Sequence, residues 1–254
     1  MSRKLATRKK RGSTLGKAAG MAVSTPLALA CGWICYSTLG INHAVPLPKA
    51  IDAEQRFFAG RNGGGLAYYA DTRAQGRPLV LIHSVNAAAS AFEMRPLFNQ
   101  YRTSRPVFAL DLPGFGFSER SDRVYTPHLY EEAILDLVEN KVGQPADVIA
   151  LSLGCEFAAR AALARPELFH SLALISPSGL GTSMRGGEDG TAYQILSFPL
   201  WGQALYDLIS TRVSIQYFLQ MSFEGPVDQA MVDYDYATSH QPGAQYAPLY
   251  FISG

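Results

Sequence analysis

Four short apolar runs constrain this chain more than anything else in it. Pro78–Ile82 (PLVLI), Val107–Leu110 (VFAL), Val148–Leu151 (VIAL) and Leu172–Ile175 (LALI) contain no polar residue. A strand with one face in water alternates polar and apolar residues. An unbroken run needs apolar surroundings on both faces, which a sheet covered by helices on both sides provides. The stretches between the runs have helical character. Ala87–Tyr101 is one, and Cys155–Ala164, stopped by Pro166, is another. A third opens at Thr126 as N-cap and Pro127 as first helical residue, with Leu129, Tyr130, Ala133, Ile134, Leu137 and Val138 along one face. Ahead of the runs, Gln55–Ala59 and Leu66–Ala70 flank the turn Arg61–Gly65 and read as a hairpin. The expectation is an α/β fold with a doubly wound, mainly parallel sheet.

One junction in this pattern carries chemistry. In Asp147–Arg160 (DVIALSLGCEFAAR), Ser152 stands between a buried strand and a helix, with Ala150 two residues before it and Gly154 two after. A turn this tight strains the serine backbone and brings strand and helix nearly into collision, so the flanking positions must be small. The usual pattern is G-x-S-x-G, and Ala150 replaces its first glycine. The turn pushes the hydroxyl out above the sheet and aims the Leu153 N–H at a developing oxyanion, helped by the helix dipole. Cys155 reads as a packed small residue and Glu156 as a carboxylate favoured in the first helical turn.

Two further motifs lie upstream, His83-Ser84-Val85-Asn86 after the third strand and Asp111-Leu112-Pro113-Gly114-Phe115-Gly116-Phe117-Ser118 after the fourth. With these, the sequence resembles the α/β-hydrolase superfamily, in the serine-nucleophile branch with a helical lid, from about Gln55 to Gly179. The resemblance implies an oxyanion hole formed by the N–H groups of Val85 and Leu153. Ser84 stands where the family has glycine, at a position expected to contact substrate. Asn86 either polarises substrate or caps the following segment, and His83 is placed to bind loop backbone rather than to act as base. Phe115 and Trp201 are expected to contact substrate, with lid packing as the alternative for the aromatic residues. The family takes its acid after a seventh strand and its histidine after an eighth, and neither strand is legible here. The chain therefore reads as ending before the last two core strands. His240, in Ser239–Gly243, is the other histidine considered as a base.

The head of the chain differs from the rest. Eight of the 22 basic residues precede Asp52, the first acid, which leaves 14 against 21 acidic residues in the remainder. So acidic a body argues against nucleic-acid binding. Ala18–Ile41 is uncharged and mostly apolar, and as a helix would reach about 36 Å, enough for a bilayer core. Seven cations before it predict a single-pass anchor at 18–41 with a cytoplasmic N-terminus and an exported body. Cleavage near Ala28–Ala30, giving a secreted or lipid-anchored protein, is the competing reading. The expected organisation is a basic head at 1–17, the anchor, a linker at 42–50, a hydrolase core at 51–180 and a helical lid region at 181–254. Three cysteines form no disulfide framework, and neither metal nor cofactor is implied.

A serine rather than an aspartate at the junction points to acyl chemistry on an ester or related bond of a small to medium hydrophobic substrate, through an acyl-enzyme. A C–C hydrolase, a cofactor-free haloperoxidase and a non-catalytic binding scaffold are the alternatives. Oligomeric state is not legible.

Overall fold

The computed structural model describes residues 14–62, 64–181 and 190–253, with the side chains of 14–25 outside that description. The chain divides into two units, Met1–Ile41 and Asn42–Gly254.

In the first unit, helix α1 runs from Thr14 to Gly40. No helix among the described residues is long and apolar enough to cross a membrane. This corrects the anchor expected at 18–41 and the single-pass placement built on it. Pro26 sits inside α1, where it removes a backbone donor, and Ser24, Thr25, Ser37, Thr38 and four glycines thin its apolar character. Cys31 and Cys35 are exposed free thiols on this helix. Most of the basic head, residues 1–13, lies outside the described residues.

The second unit is built on six strands: β1 (Glu54–Ala59), β2 (Gly65–Asp71), β3 (Leu79–Ile82), β4 (Val107–Asp111), β5 (Ala146–Leu151) and β6 (Phe169–Ile175). Their order is β1-β2-β4-β3-β5-β6. The hairpin forms as its turn chemistry requires, with Phe58 opposite Leu66, and β2 runs antiparallel to β4. From β4 onward every pairing is parallel. The sheet is therefore mixed, with its parallel part in the register Leu81↔Ala109 and Leu81↔Ile149.

The central strands bury both faces, as their unbroken apolar runs demand. Val80, Ile82, Phe108, Leu110 and Val148 point into a core with residues of α3 (Pro127–Leu137) and α4 (Gly154–Ala164), among them Ile134, Leu137, Phe157 and Ala161. Leu79, Leu81, Val107 and Ala109 point the other way, onto Phe98 of α2 (Arg95–Tyr101), Tyr69 and Met94. Edge strand β6 alternates between half-buried and exposed positions. The helix expected over Ala87–Tyr101 begins later. Ser90 caps a 3-10 turn at Ala91–Met94, and α2 follows from Arg95 with Pro96 in its first turn.

Residues 42–50, read as a linker, are pinned instead. The His43 ring meets the Asp207 carboxylate at 3.0 Å, Val45 donates to the His240 carbonyl, and Ala50 donates to the Tyr69 hydroxyl. The region from 181 onward is helical where described: α5 (Thr191–Leu196), α6 (Gly202–Ile209), α7 (Arg212–Ser222), α8 (Gln229–Ser239) and α9 (Tyr246–Ser253). Tyr234 of α8 stacks on Phe92 at 4.5 Å, and Ala247 of α9 enters the core beside Tyr125 and Phe115.

Candidate active site

The parallel register Ile82↔Ala150 sends the loop after β3 and the turn after β5 out of the same end of the sheet. The sequence motifs meet there. Ser152 has φ 52°, one of two non-glycine residues with positive φ among those described. Its backbone is fixed on both sides, since its N–H donates to the Ile175 carbonyl at 2.9 Å and its carbonyl accepts from Cys155 and Ser178. The second such residue, Ser176 (φ 45°), follows β6 directly, so both left-handed serines lie at adjacent strand ends. Strain of this kind costs about 1–3 kcal/mol per residue and persists only where the surroundings enforce it.

Gly154 is the enforcing contact. A Cβ placed on it would stand 2.4 Å from the His83 carbonyl oxygen, closer than real Cβ atoms approach backbone. Helix α4 can start where it does because this position has no side chain. Cys155, beneath the turn, points its Sγ at the Ala150 carbonyl oxygen 3.2 Å away, and burial pushes its thiol above the usual range. That is a packed thiol, as the sequence suggested, and not a nucleophile. Glu156 pairs with Arg160 one turn along.

On the other side of the contact, the loop 83–90 is wired tightly. His83 is fully buried. Its Nε2 accepts the Leu112 N–H at 2.9 Å, so its Nδ1 carries the proton and donates to the Ser84 carbonyl at 2.6 Å. Burial pulls its pKa down to about 4. A neutral imidazole with both nitrogens engaged holds the loop and has no nitrogen left for Ser152. Ser84, where a glycine was expected, turns its hydroxyl away to Glu93 Oε1 at 2.8 Å. Asn86 accepts from the Ala88 N–H at 2.7 Å and donates to the Ser84 hydroxyl and to Glu93, closing a turn within the loop, while the cap of the following helical turn is Ser90. Among the described residues, neither the Val85 nor the Leu153 N–H has an acceptor.

Asp111 fastens this loop to the next one. Its carboxylate accepts the Ala91 N–H at 2.8 Å and the Phe117 N–H at 3.0 Å, and burial raises its pKa to about 6. Gly116 (φ 53°) lies against that carboxylate, so close that a Cβ would sit 2.0 Å from Asp111 Cγ. Gly116 is thus the acid's seat as well as a turn-maker.

Several expected residues fall elsewhere. Phe115 is buried and meets the His83 ring edge-on, so its side chain belongs to the core. Trp201 donates to the Ile195 carbonyl and packs on Phe198, within the connection from α5 to α6. His240 is buried; its Nδ1 donates to the Tyr236 carbonyl at 2.7 Å, and its ring stacks on Tyr236. His170 faces Asp147 at 2.9 Å, at the start of β5 and therefore at the far end of the strand from Ser152. Among the described residues the partner of the Ser152 hydroxyl is the Ser178 hydroxyl, 3.4 Å away. Sequence reasoning passed over Glu93. Its signal was present, a carboxylate three residues after the N-cap Ser90, but it reads there as an ordinary capping partner.

The chain is similar to known proteins. The profile of the Alpha/beta hydrolase family matches residues 79–254. The chain is 33% identical over 114 residues to the uncharacterized hydrolase YugF of Bacillus subtilis (strain 168), a match covering 44% of this chain and 41% of that protein. It is 28% identical over 116 residues to 2-hydroxymuconate semialdehyde hydrolase of Pseudomonas sp. (strain CF600), covering 45% of this chain and 41% of the relative. The chain thus matches about two fifths of the length of each of these relatives. Among solved structures, 2-hydroxy-6-oxo-6-phenylhexa-2,4-dienoate hydrolase (BphD) from Rhodococcus sp. strain RHA1 superposes with a TM-score of 0.58 at 19% identity, over 78% of this chain and 71% of that one. At that identity the likeness speaks for the fold alone.

Proposed function

Because the chain belongs to the Alpha/beta hydrolase family, we propose that it is a serine hydrolase that cleaves an ester or related acyl bond of a small to medium hydrophobic substrate. Ser152 is the nucleophile and forms an acyl-enzyme. The N–H groups of Val85 and Leu153 receive the oxyanion of the tetrahedral intermediate. One observation carries this reading: Ser152 is held at φ 52° on a strand-to-helix turn. On that turn the strained backbone lifts the hydroxyl out above the sheet beside the helix N-terminus, which supports the role of nucleophile.

A serine hydroxyl needs a base to attack at neutral pH. Among the described residues no histidine contacts Ser152, and those beside the site are engaged elsewhere. The reading therefore requires an imidazole that these contacts do not include. A second reading, hydrolysis of a carbon–carbon bond beside a carbonyl, draws support from the 2-hydroxymuconate semialdehyde hydrolase relative. It uses the same serine and the same two donors.

The test is covalent labelling of the protein with a fluorophosphonate probe. The expected result is labelling at Ser152 that disappears in Ser152→Ala, with turnover of p-nitrophenyl esters falling about 10⁴-fold. Labelling that persists in Ser152→Ala, or wild-type protein that takes no label, overturns the assignment. Hydrolysis of a dienoic ketone faster than of any ester would favour the second reading.

A further inference from the structure

Glu93, on the 3-10 turn, directs its carboxylate back onto the loop that carries Val85. Its Oε2 accepts the Ser84 N–H at 2.8 Å, and its Oε1 accepts the Ser84 hydroxyl at 2.8 Å and the Asn86 amide at 2.9 Å. The two neighbours of Val85 are thus gripped by one side chain, while His83 holds the Ser84 carbonyl from beneath. The turn that presents Glu93 is itself anchored. Ser90 caps it, Asp111 holds its first N–H, and the Phe92 ring lies on Tyr234 of α8. A peptide N–H has no freedom of direction once the peptide planes on both sides are fixed.

We propose that Glu93 is a positioning residue for hydrolysis at Ser152, its carboxylate holding Ser84 and Asn86 so that the Val85 N–H stays aimed at the oxyanion. This rests on the reading of Ser152 as nucleophile. The ionised form is the one that serves, because three donors converge on it and a protonated acid would have to displace one. Burial pushes Glu93 above the usual carboxylate range, against the pull of those donors. Among the groups around it, Asp235 of α8 is buried, and burial together with the Glu93 charge pushes it well above the ordinary range. Tyr206 of α6 faces Asp235 and is itself raised by burial, so it is neutral. Arg95 is spent on Asp228 at 2.9 Å and on the Phe92 ring, and His83 is uncharged.

The experiment compares Glu93→Ala, Glu93→Gln and Ser152→Ala with wild-type protein, by ester kinetics and by amide hydrogen exchange. Glu93→Ala should lower kcat about 10- to 100-fold with KM within about twofold, since a donor aimed at the transition state has lost its aim. Exchange at Ser84 and Asn86 should quicken in the same protein. Glu93→Gln keeps one carbonyl acceptor but turns an amide donor toward the remaining donors, so its kcat should fall between those of wild type and Glu93→Ala. Should the alanine protein be unstable, Glu93→Asp, one methylene shorter, gives the same reading with a drop of about tenfold. Glu93→Ala within twofold of wild type in kcat, with Ser152→Ala inactive, overturns the role of Glu93 and leaves the nucleophile standing. Wild-type protein that neither labels nor turns over defeats the nucleophile reading, and the positioning role falls with it. Unchanged exchange at Ser84 and Asn86 in Glu93→Ala removes the tether in either case.

Discussion

The loop after β3 and the turn after β5 emerge side by side from one end of the sheet, yet their side chains are bound very differently. In the loop, His83, Ser84, Asn86 and Glu93 bind one another or the backbone, and Asp111 ties the assembly to the next loop. In the turn, the Ser152 backbone is held by three hydrogen bonds, but its hydroxyl has one long contact to Ser178. On the function proposed above, the difference follows the division of labour in acyl chemistry. Donors for an oxyanion gain by being fixed before the substrate arrives, whereas a nucleophile must be free to leave its ground-state partner.

The comparison can be broken most forcefully where the two halves touch. Gly154→Ala should cost about 3 kcal/mol, a fall in Tm of about 6–12 °C, because its Cβ would meet the His83 backbone and not a pliable side chain. A Tm within 2 °C of wild type would show that the halves are not in the contact described. Asp111→Ala should cost about 2–3 kcal/mol, since it strands the buried N–H groups of Ala91 and Phe117. Urea unfolding measures it, and a loss under 1 kcal/mol would mean that the loops hold without the acid.

His83 offers a sharper test through pH. Its folded pKa of about 4 lies below the ordinary value of 6.5, so the unfolded chain binds a proton that the folded chain refuses. That contribution is absent above about pH 7 and destabilises the fold as pH falls through 6.5 toward 4. His83→Gln is less stable than wild type at pH 7, but its deficit should shrink by about 2 kcal/mol at pH 5. A deficit that stays constant would show that the ring titrates normally. The smallest effect belongs to the sparse half: Ser178→Ala should change stability by less than about 0.5 kcal/mol, because a contact of 3.4 Å between hydroxyls contributes little. A larger loss would make the turn as tightly wired as the loop.

Much of this was legible in the chain itself. The apolar runs announced the central strands within a residue or two, because a strand buried on both faces has no room for polar residues. Thr126 and Pro127 marked the start of α3, since capping is a local matter. The turn at Ser152 was visible because sterics limit what can stand at 150 and 154. What escaped were directions and distant partners. Phe115 looked like a pocket residue, and only the tertiary structure shows its ring against His83. Glu93 reaches back nine residues to Ser84, a pairing that no local pattern encodes. Ala18–Ile41 was misjudged because its length and lack of charge outweighed the proline, glycines and hydroxyls within it.

The close approach of Gly154 to His83 also bears on how such a protein can change over generations. Both donor-bearing segments are referred to a single point of contact, so their spacing is inherited as one unit. Helices α6 and α8 reach the loop through Tyr206, which donates to the Ala87 carbonyl, and Tyr234, which stacks on Phe92, so substitutions at those two positions are felt by the unit as well. Lineages built on this arrangement should therefore keep the Gly154–His83 contact and the aromatic seats on it, while exposed positions of the surrounding helices vary freely.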